Sequence, residues 1–118
     1  MLQKNTIRAL TFSFLAFMCL FMFGFTAPAQ DVRMTYFANG YIKTTTQYEH
    51  GKKNGVFKQF FENGKIQLLR TYKDDVLDGK SLEYYPNGKL KEELVYQQGK
   101  AIHLRIYNEQ GKLILSKY

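Results

Sequence analysis

The sequence changes character near residue 30. Before that point lies one long uncharged apolar run. After it, short stretches of aromatic, β-branched and polar residues alternate, separated by polar clusters that carry glycine. Ile42–Tyr48, Val56–Phe61, Ile66–Tyr72, Lys80–Tyr85, Leu90–Tyr96, His103–Tyr107 and Leu113–Tyr118 each have the length and composition of a β-strand.

The separators recur. Tyr36-Phe37-Ala38-Asn39-Gly40, Phe60-Phe61-Glu62-Asn63-Gly64 and Tyr84-Tyr85-Pro86-Asn87-Gly88 are one phrase, and Gly40, Gly64 and Gly88 stand 24 residues apart. Both residues of each Asn39-Gly40, Asn63-Gly64 and Asn87-Gly88 pair tolerate positive φ, so each is expected to form a two-residue type I′ hairpin turn. Gly111 is the corresponding turn glycine of a shortened last copy, 23 residues on. A second, looser turn is expected over Glu49–Gly55, Lys73–Gly79 and Gln97–Lys100. Each unit is then a hairpin, and successive hairpins extend one sheet. The predicted fold is all-β: consecutive antiparallel β-hairpin repeats of about 24 residues forming one elongated, twisted single sheet, about three and a half repeats over residues 30–118.

Aligning the copies produces columns. Tyr36, Phe60, Tyr84 and Tyr107 precede the turn glycine by four residues, and Ile42, Ile66, Leu90 and Leu113 follow it by two. These are expected to form the core stripe. Adjacent aromatics must point to opposite faces, because side chains alternate along a strand. The second column, Phe37, Phe61 and Tyr85, lapses to Asn108 in the last copy and is the candidate partner-facing surface.

A hairpin unit of this size, with aromatic-aromatic-x-Asn-Gly-Lys-Leu and then Tyr-x-x-Gly-Lys, resembles the MORN repeat. It is most similar to the bacterial variant found in antitoxin-like proteins. Tyr84–Leu90 and Tyr96–Lys100 carry the resemblance best, and it covers about residues 34–118. Three departures stand out. Asp75 falls where Gly51 and Gly99 stand, and Asp tolerates left-handed backbone better than most residues. His103 falls where Gly55 and Gly79 stand, and Gln110 replaces the turn Asn, as in a drifted terminal cap. The resemblance implies a binding or scaffolding module, with protein contacts or membrane lipids as partners. The antitoxin-like label implies neutralising a partner, which outside the cytoplasm becomes an immunity-type role.

The first 29 residues change the expected location. Lys4 and Arg8 precede an uncharged run from Ala9 to Thr26, and Ala27-Pro28-Ala29 supplies small residues for cleavage before Gln30. This is the layout of a signal peptide, with an uncleaved anchor over residues 9–26 as the alternative. Either way residues 30–118 are exported, to the periplasm, secreted, or held at the membrane. Cys19, the single cysteine, lies in the apolar run, so the exported part has neither a disulfide nor a thiolate site. That part keeps 15 of the 17 basic residues and all 10 acidic ones, a net charge of +5 (15 − 10). Lysines such as Lys58, Lys65, Lys89 and Lys91 suit a solvated β-surface, or alternatively anionic headgroups.

Nothing in the sequence assembles a reaction, and no catalytic, cofactor or metal residues are assigned. His50 and His103 read as exposed residues in or beside the second turns, without a zinc pattern. Asp74, Asp75 and Asp78 cluster as turn residues and lack the ligand spacing of a calcium loop. Glu92 and Glu93 are strand neighbours that point apart. Ser81 and Ser116 lack a nucleophile-elbow context. The glycines mark strand turns and open no helix, which excludes a phosphate loop. Aromatics interleaved with lysines suit nucleic-acid stacking, but export argues against nucleic acid as a partner. The expected function is a non-catalytic module with an unidentified protein partner, and a membrane surface as the alternative.

Overall fold

The computed structural model describes residues 30–118. The segment expected to be a signal peptide or anchor, with Lys4, Arg8 and Cys19, lies outside the described residues. Eight strands follow one another: β1 (Gln30–Tyr36), β2 (Ile42–Glu49), β3 (Lys52–Phe60), β4 (Ile66–Lys73), β5 (Val76–Tyr84), β6 (Leu90–Gln97), β7 (Lys100–Tyr107) and β8 (Leu113–Lys117). They form one antiparallel sheet in the order β1-β2-β3-β4-β5-β6-β7-β8, so every strand pairs only with its sequence neighbours. At ~4.8 Å per strand the sheet is about 34 Å across the ladder. No helix occurs among the described residues.

The turns reverse the expected assignment. At the Asn-Gly ends the loops have three residues. The Phe37 amide donates to the Tyr41 carbonyl (2.8 Å) and the Gly40 amide to the Phe37 carbonyl (3.0 Å). Phe61/Lys65/Gly64, Tyr85/Lys89/Gly88 and Asn108/Lys112/Gly111 repeat this pair of bonds. Only the glycine has positive φ, near 85° in all four tips. This is a type I turn closed by a left-handed glycine, not a type I′ pair. Asn39, Asn63 and Asn87 serve instead through their side chains, whose Oδ1 accepts the amide two residues on at 2.9–3.1 Å. The two-residue type I′ turns are the ones expected to be loose. His50-Gly51, Asp74-Asp75 and Gln98-Gly99 all have positive φ at both positions.

The looseness lies one step further on. Thr46 pairs with Phe57 and Tyr48 with Lys53, so Gln47 alone faces Asn54, Gly55 and Val56. Likewise Thr71 faces Asp78, Gly79 and Lys80. Each is a β-bulge with its glycine near φ 110°. The opposing side chain fills it: Gln47 Oε1 accepts the Val56 amide at 2.7 Å, and Thr71 Oγ1 donates to the Lys80 carbonyl at 3.3 Å. Between β6 and β7 only Ile102 is extra, since Val95 pairs with His103 and Tyr96 with Ala101. The residue missing from the last repeat is therefore the bulge glycine itself. His103 does not take its place; it is the counterpart of Val56 and Lys80.

Directly opposed residues share a face, and the registers assign both faces. The first face carries the row Tyr36–Ile42–Phe60–Ile66–Tyr84–Leu90–Tyr107–Leu113, each aromatic paired with its aliphatic partner. The row exists, but it is not a core. Among the described residues no apolar side chain is buried, and Tyr36 is 58% exposed. Among the described residues nothing is stacked upon this single layer of sheet, so these side chains shelter one another mainly within the row. The second face carries Arg33–Thr46–Phe57–Arg70–Ser81–Leu94–Leu104–Lys117. The two buried residues, Thr46 and Ser81, are both in this row.

Candidate functional site

The surfaces available are two sheet faces, two rows of turns and two open edges. The turn rows are largely occupied with holding the repeats together. At the Asn-Gly end, Tyr85 donates its hydroxyl to the Tyr107 carbonyl (2.9 Å), Asn87 Nδ2 donates to the Glu109 carbonyl (3.3 Å), and Lys89 Nζ reaches the Gln110 carbonyl (3.4 Å). Tyr85 is thus half-buried and engaged with the next hairpin, while Phe37 and Phe61 occupy the same tip position without a hydroxyl. In the last tip Asn108 takes over the role vacated at Gln110: its Oδ1 accepts from both Gln110 and Lys112 (3.1 and 2.9 Å). The lapse in the aromatic column and the loss of the turn Asn compensate each other.

At the opposite end the amides of Asp75 and Gly99 donate to the carbonyls of Lys53 and Leu77, at 2.9 and 2.7 Å. Asp75 adds a second bond through its carboxylate, which accepts the Lys53 amide at 2.7 Å. The departure from glycine therefore supplies a clamp. It also removes Asp75 from the acidic cluster: Asp74 and Asp78 border a shallow depression with Lys73, Val76 and Gln98, and Asp75 does not. No group of three or more His, Cys, Asp or Glu converges among the described residues.

The histidines separate. His50 occupies a type I′ turn, φ 50°. His103 belongs to β7, half-buried, with its ring stacked on Tyr118 at 4.3 Å and its Nε2 3.4 Å from Ser116 Oγ. No carboxylate hydrogen-bonds that imidazole among the described residues, so the pair lacks the orienting group of a nucleophile–base dyad. Glu92 and Glu93 lie on opposite faces, opposite Ile106 and Arg105. Glu93 is bridged by Lys80 (3.2 Å) and Arg105 (3.5 Å). Ser81 is buried beneath the second face.

The lysines considered for headgroup binding do not converge either. Lys58 is on the first face beside Thr45 and Leu69. Lys91 is bonded to Glu83 at 2.6 Å, and this hydrogen bond and charge raise its pKa above the ordinary 10.5. Lys65 and Lys89 sit in turn tips.

On the second face, cations lie against aromatic rings: Arg33 over Tyr48 (4.2 Å), Lys53 over Tyr72 (5.1 Å) and Lys43 over Phe37 (5.8 Å). Arg33 is also paired with Asp31 at 3.0 Å. Arg70, in the middle of the row, differs. Its Nε is shielded from solvent and has no hydrogen-bond partner. Strand alternation places Arg70 on this face, but its isolation depends on neighbours that no local pattern specifies.

The family model described as a MORN repeat variant matches residues 53–74 and 77–98, one hairpin each, in the same 24-residue register as the tips. These two hairpins are MORN repeats. No curated protein and no solved structure matches it. The two matched MORN repeats are the central hairpins β3–β4 and β5–β6. The flanking hairpins β1–β2 and β7–β8 repeat the same tip hydrogen bonds, which extends the array of like hairpins to four. MORN repeats are in general non-catalytic binding modules, and a repeat-based binding or scaffold module is the functional class that follows.

Proposed function

We propose that this chain is an exported MORN-repeat module whose task is to hold another protein, in an antitoxin- or immunity-like manner. The observation that carries the reading is the absence of any buried apolar side chain among the described residues, while both faces bear aromatic and aliphatic rows. A folded ladder with so much half-exposed apolar area has the surface of an interface. Most of the bonds that join the hairpins run through backbone and turns, and the apolar rows of the faces stay accessible. Export rests on the Lys4/Arg8 flank, the Ala9–Thr26 run and Ala27-Pro28-Ala29.

The test is in-cell crosslinking of the tagged full chain, followed by capture from the cell envelope. One protein enriched reproducibly over a tag-only control supports the reading. Absence of any such partner across several growth conditions counts against it. Fractionation of the same cells tests export, and a chain confined to the cytoplasm overturns that part.

A further inference from the structure

We propose that the free edge of β1 is an interface between two copies of this chain, paired antiparallel about a two-fold axis through Val32. Among the described residues β1 pairs only with β2, and it is the one strand exposed along its whole length. Its outer edge therefore presents backbone donors and acceptors to a further strand. Val32, Met34 and Tyr36 alternate along it, apolar and exposed, on the first face. Sheet edges are commonly blunted by lysine, by proline or by shortness. The other edge, β8, has five residues and ends on Lys117. β1 has seven residues, with neither lysine nor proline. This pairing is independent of the partner invoked for the binding module.

Charge selects the occupant and the register. Asp31 and Arg33 flank Val32 and share the second face, opposite Tyr48 and Thr46. A two-fold axis through Val32 sets Asp31 against Arg33 of the second copy, and Arg33 against its Asp31. Val32 meets Val32, and Gln30 and Met34 complete the pairs, so this edge is complementary to itself. Moving the axis to Asp31 or to Arg33 opposes two like charges instead. Within one chain Arg33 Nε lies 3.0 Å from Asp31 Oδ2, and both side chains are well exposed. The terminal guanidinium nitrogens and Asp31 Oδ1 form no other hydrogen bond among the described residues. Pairing joins the two ion pairs into a ring of four alternating charges. A head-to-tail stack of β8 on β1 fits worse. Continuing the register of β6 and β7, Lys117 and Arg33 would stand where Leu94 and Leu104 stand, cation against cation. The two-fold pair is closed, and its contact is small, of the weak and transient class.

The experiment traps the pair in cells that produce the full chain, on a Cys19→Ser background, with a short membrane-permeant bis-maleimide. Val32→Cys places two thiols at the axis and is expected to give a linked dimer on denaturing gels. Met34→Cys is the register control, since its two copies would lie about 13 Å apart along the strands, and it should link at least about threefold less. Differently tagged Met34→Cys and Ser116→Cys chains, produced together, probe the head-to-tail stack, which would oppose those two residues. On the Val32→Cys chain, Asp31→Arg or Arg33→Asp alone should lower the dimer about fivefold or more, because each opposes two pairs of like charge. Both exchanges in one chain restore the complementarity and should restore linking to within about twofold. Chains carrying Asp31→Arg and chains carrying Arg33→Asp, tagged differently and produced together, should link to each other in preference to themselves. Melting midpoints of the charge variants within about 3 °C of the parent exclude misfolding as the cause.

Any of four results overturns the proposal: a Val32→Cys dimer no stronger than that of Met34→Cys, linking of the Met34–Ser116 pair in its place, single charge variants that link as well as the parent, or a double exchange that fails to restore linking.

Discussion

Asp75 and Lys53 hold each other by two hydrogen bonds, the Asp75 amide to the Lys53 carbonyl at 2.9 Å and the Lys53 amide to the Asp75 carboxylate at 2.7 Å. The turn that leads out of one hairpin thereby closes on the opening strand of that same hairpin. Gly99 makes only the first of these bonds, to Leu77. Asp75 also has φ 68°, where a non-glycine residue is strained. Asp75→Gly should therefore be close to neutral, because relief of about 1 kcal/mol of left-handed strain offsets the lost bond. Asp75→Ala loses the bond and keeps the strain, and should cost about 1–2 kcal/mol. Urea midpoints of the two variants check this; equal losses would remove the clamp.

The bulge glycines should tolerate substitution worse than the tip glycines. A Cβ at Gly55 would run into the Gln47 side chain, the group that accepts the Val56 amide. A Cβ at Gly64 or Gly88 meets nothing within 4 Å. Gly64→Ala should cost about 1–2 kcal/mol, from backbone strain alone, and Gly64→Val or Gly88→Val more, from the β-branch. Gly55→Ala should exceed Gly64→Ala by about 1 kcal/mol or more, since Gln47 must also leave its hydrogen bond. Denaturant unfolding of the pair is the measurement, and a reversed order would mean the bulge is not the constrained point.

Tyr85→Phe should lower stability by about 0.5–1.5 kcal/mol, the net worth of one part-buried hydrogen bond. The hydroxyl joins the third hairpin to the fourth. Amide exchange should therefore accelerate mainly in β7 and β8. Acceleration spread evenly over the sheet would contradict this local role.

The Lys91–Glu83 pair sets a pH dependence at the alkaline end. Its raised folded-state pKa, due first to the hydrogen bond from Lys91 to Glu83, makes the pair fully stabilising below about pH 10.5. That contribution fades as pH rises through the folded-state value. Both side chains are more than a third exposed, at 44% and 35%, so the effect is a few tenths of a kcal/mol. Lys91→Met should flatten the upper limb of a melting-temperature profile above about pH 10.5, relative to wild type.

What the sequence made legible was periodic. The 24-residue return of Gly40, Gly64 and Gly88 and the adjacent aromatics were enough for hairpins in one sheet. Asn39-Gly40 misled on turn type, because the dipeptide suits a two-residue turn and an Asn-capped three-residue loop equally. The true two-residue turns, His50-Gly51, Asp74-Asp75 and Gln98-Gly99, share no composition except tolerance of positive φ in their second residue. The bulges depend on the count of residues between two registers, so the missing glycine before His103 read as a substitution. Arg70 was invisible for a different reason. One arginine on a strand looks like any solvated cation until cross-strand neighbours decide which of its donors can reach water.

The strictly sequential strand order has a kinetic consequence. Each strand needs only the next one along the chain, so every pairing closes a short loop and no strand waits for a distant segment. Folding can begin in whichever hairpin closes first and spread outward in both directions. The array should therefore acquire structure on the fast side for an all-β protein, and emerging repeats can zip one by one while the remainder of the chain is still being delivered.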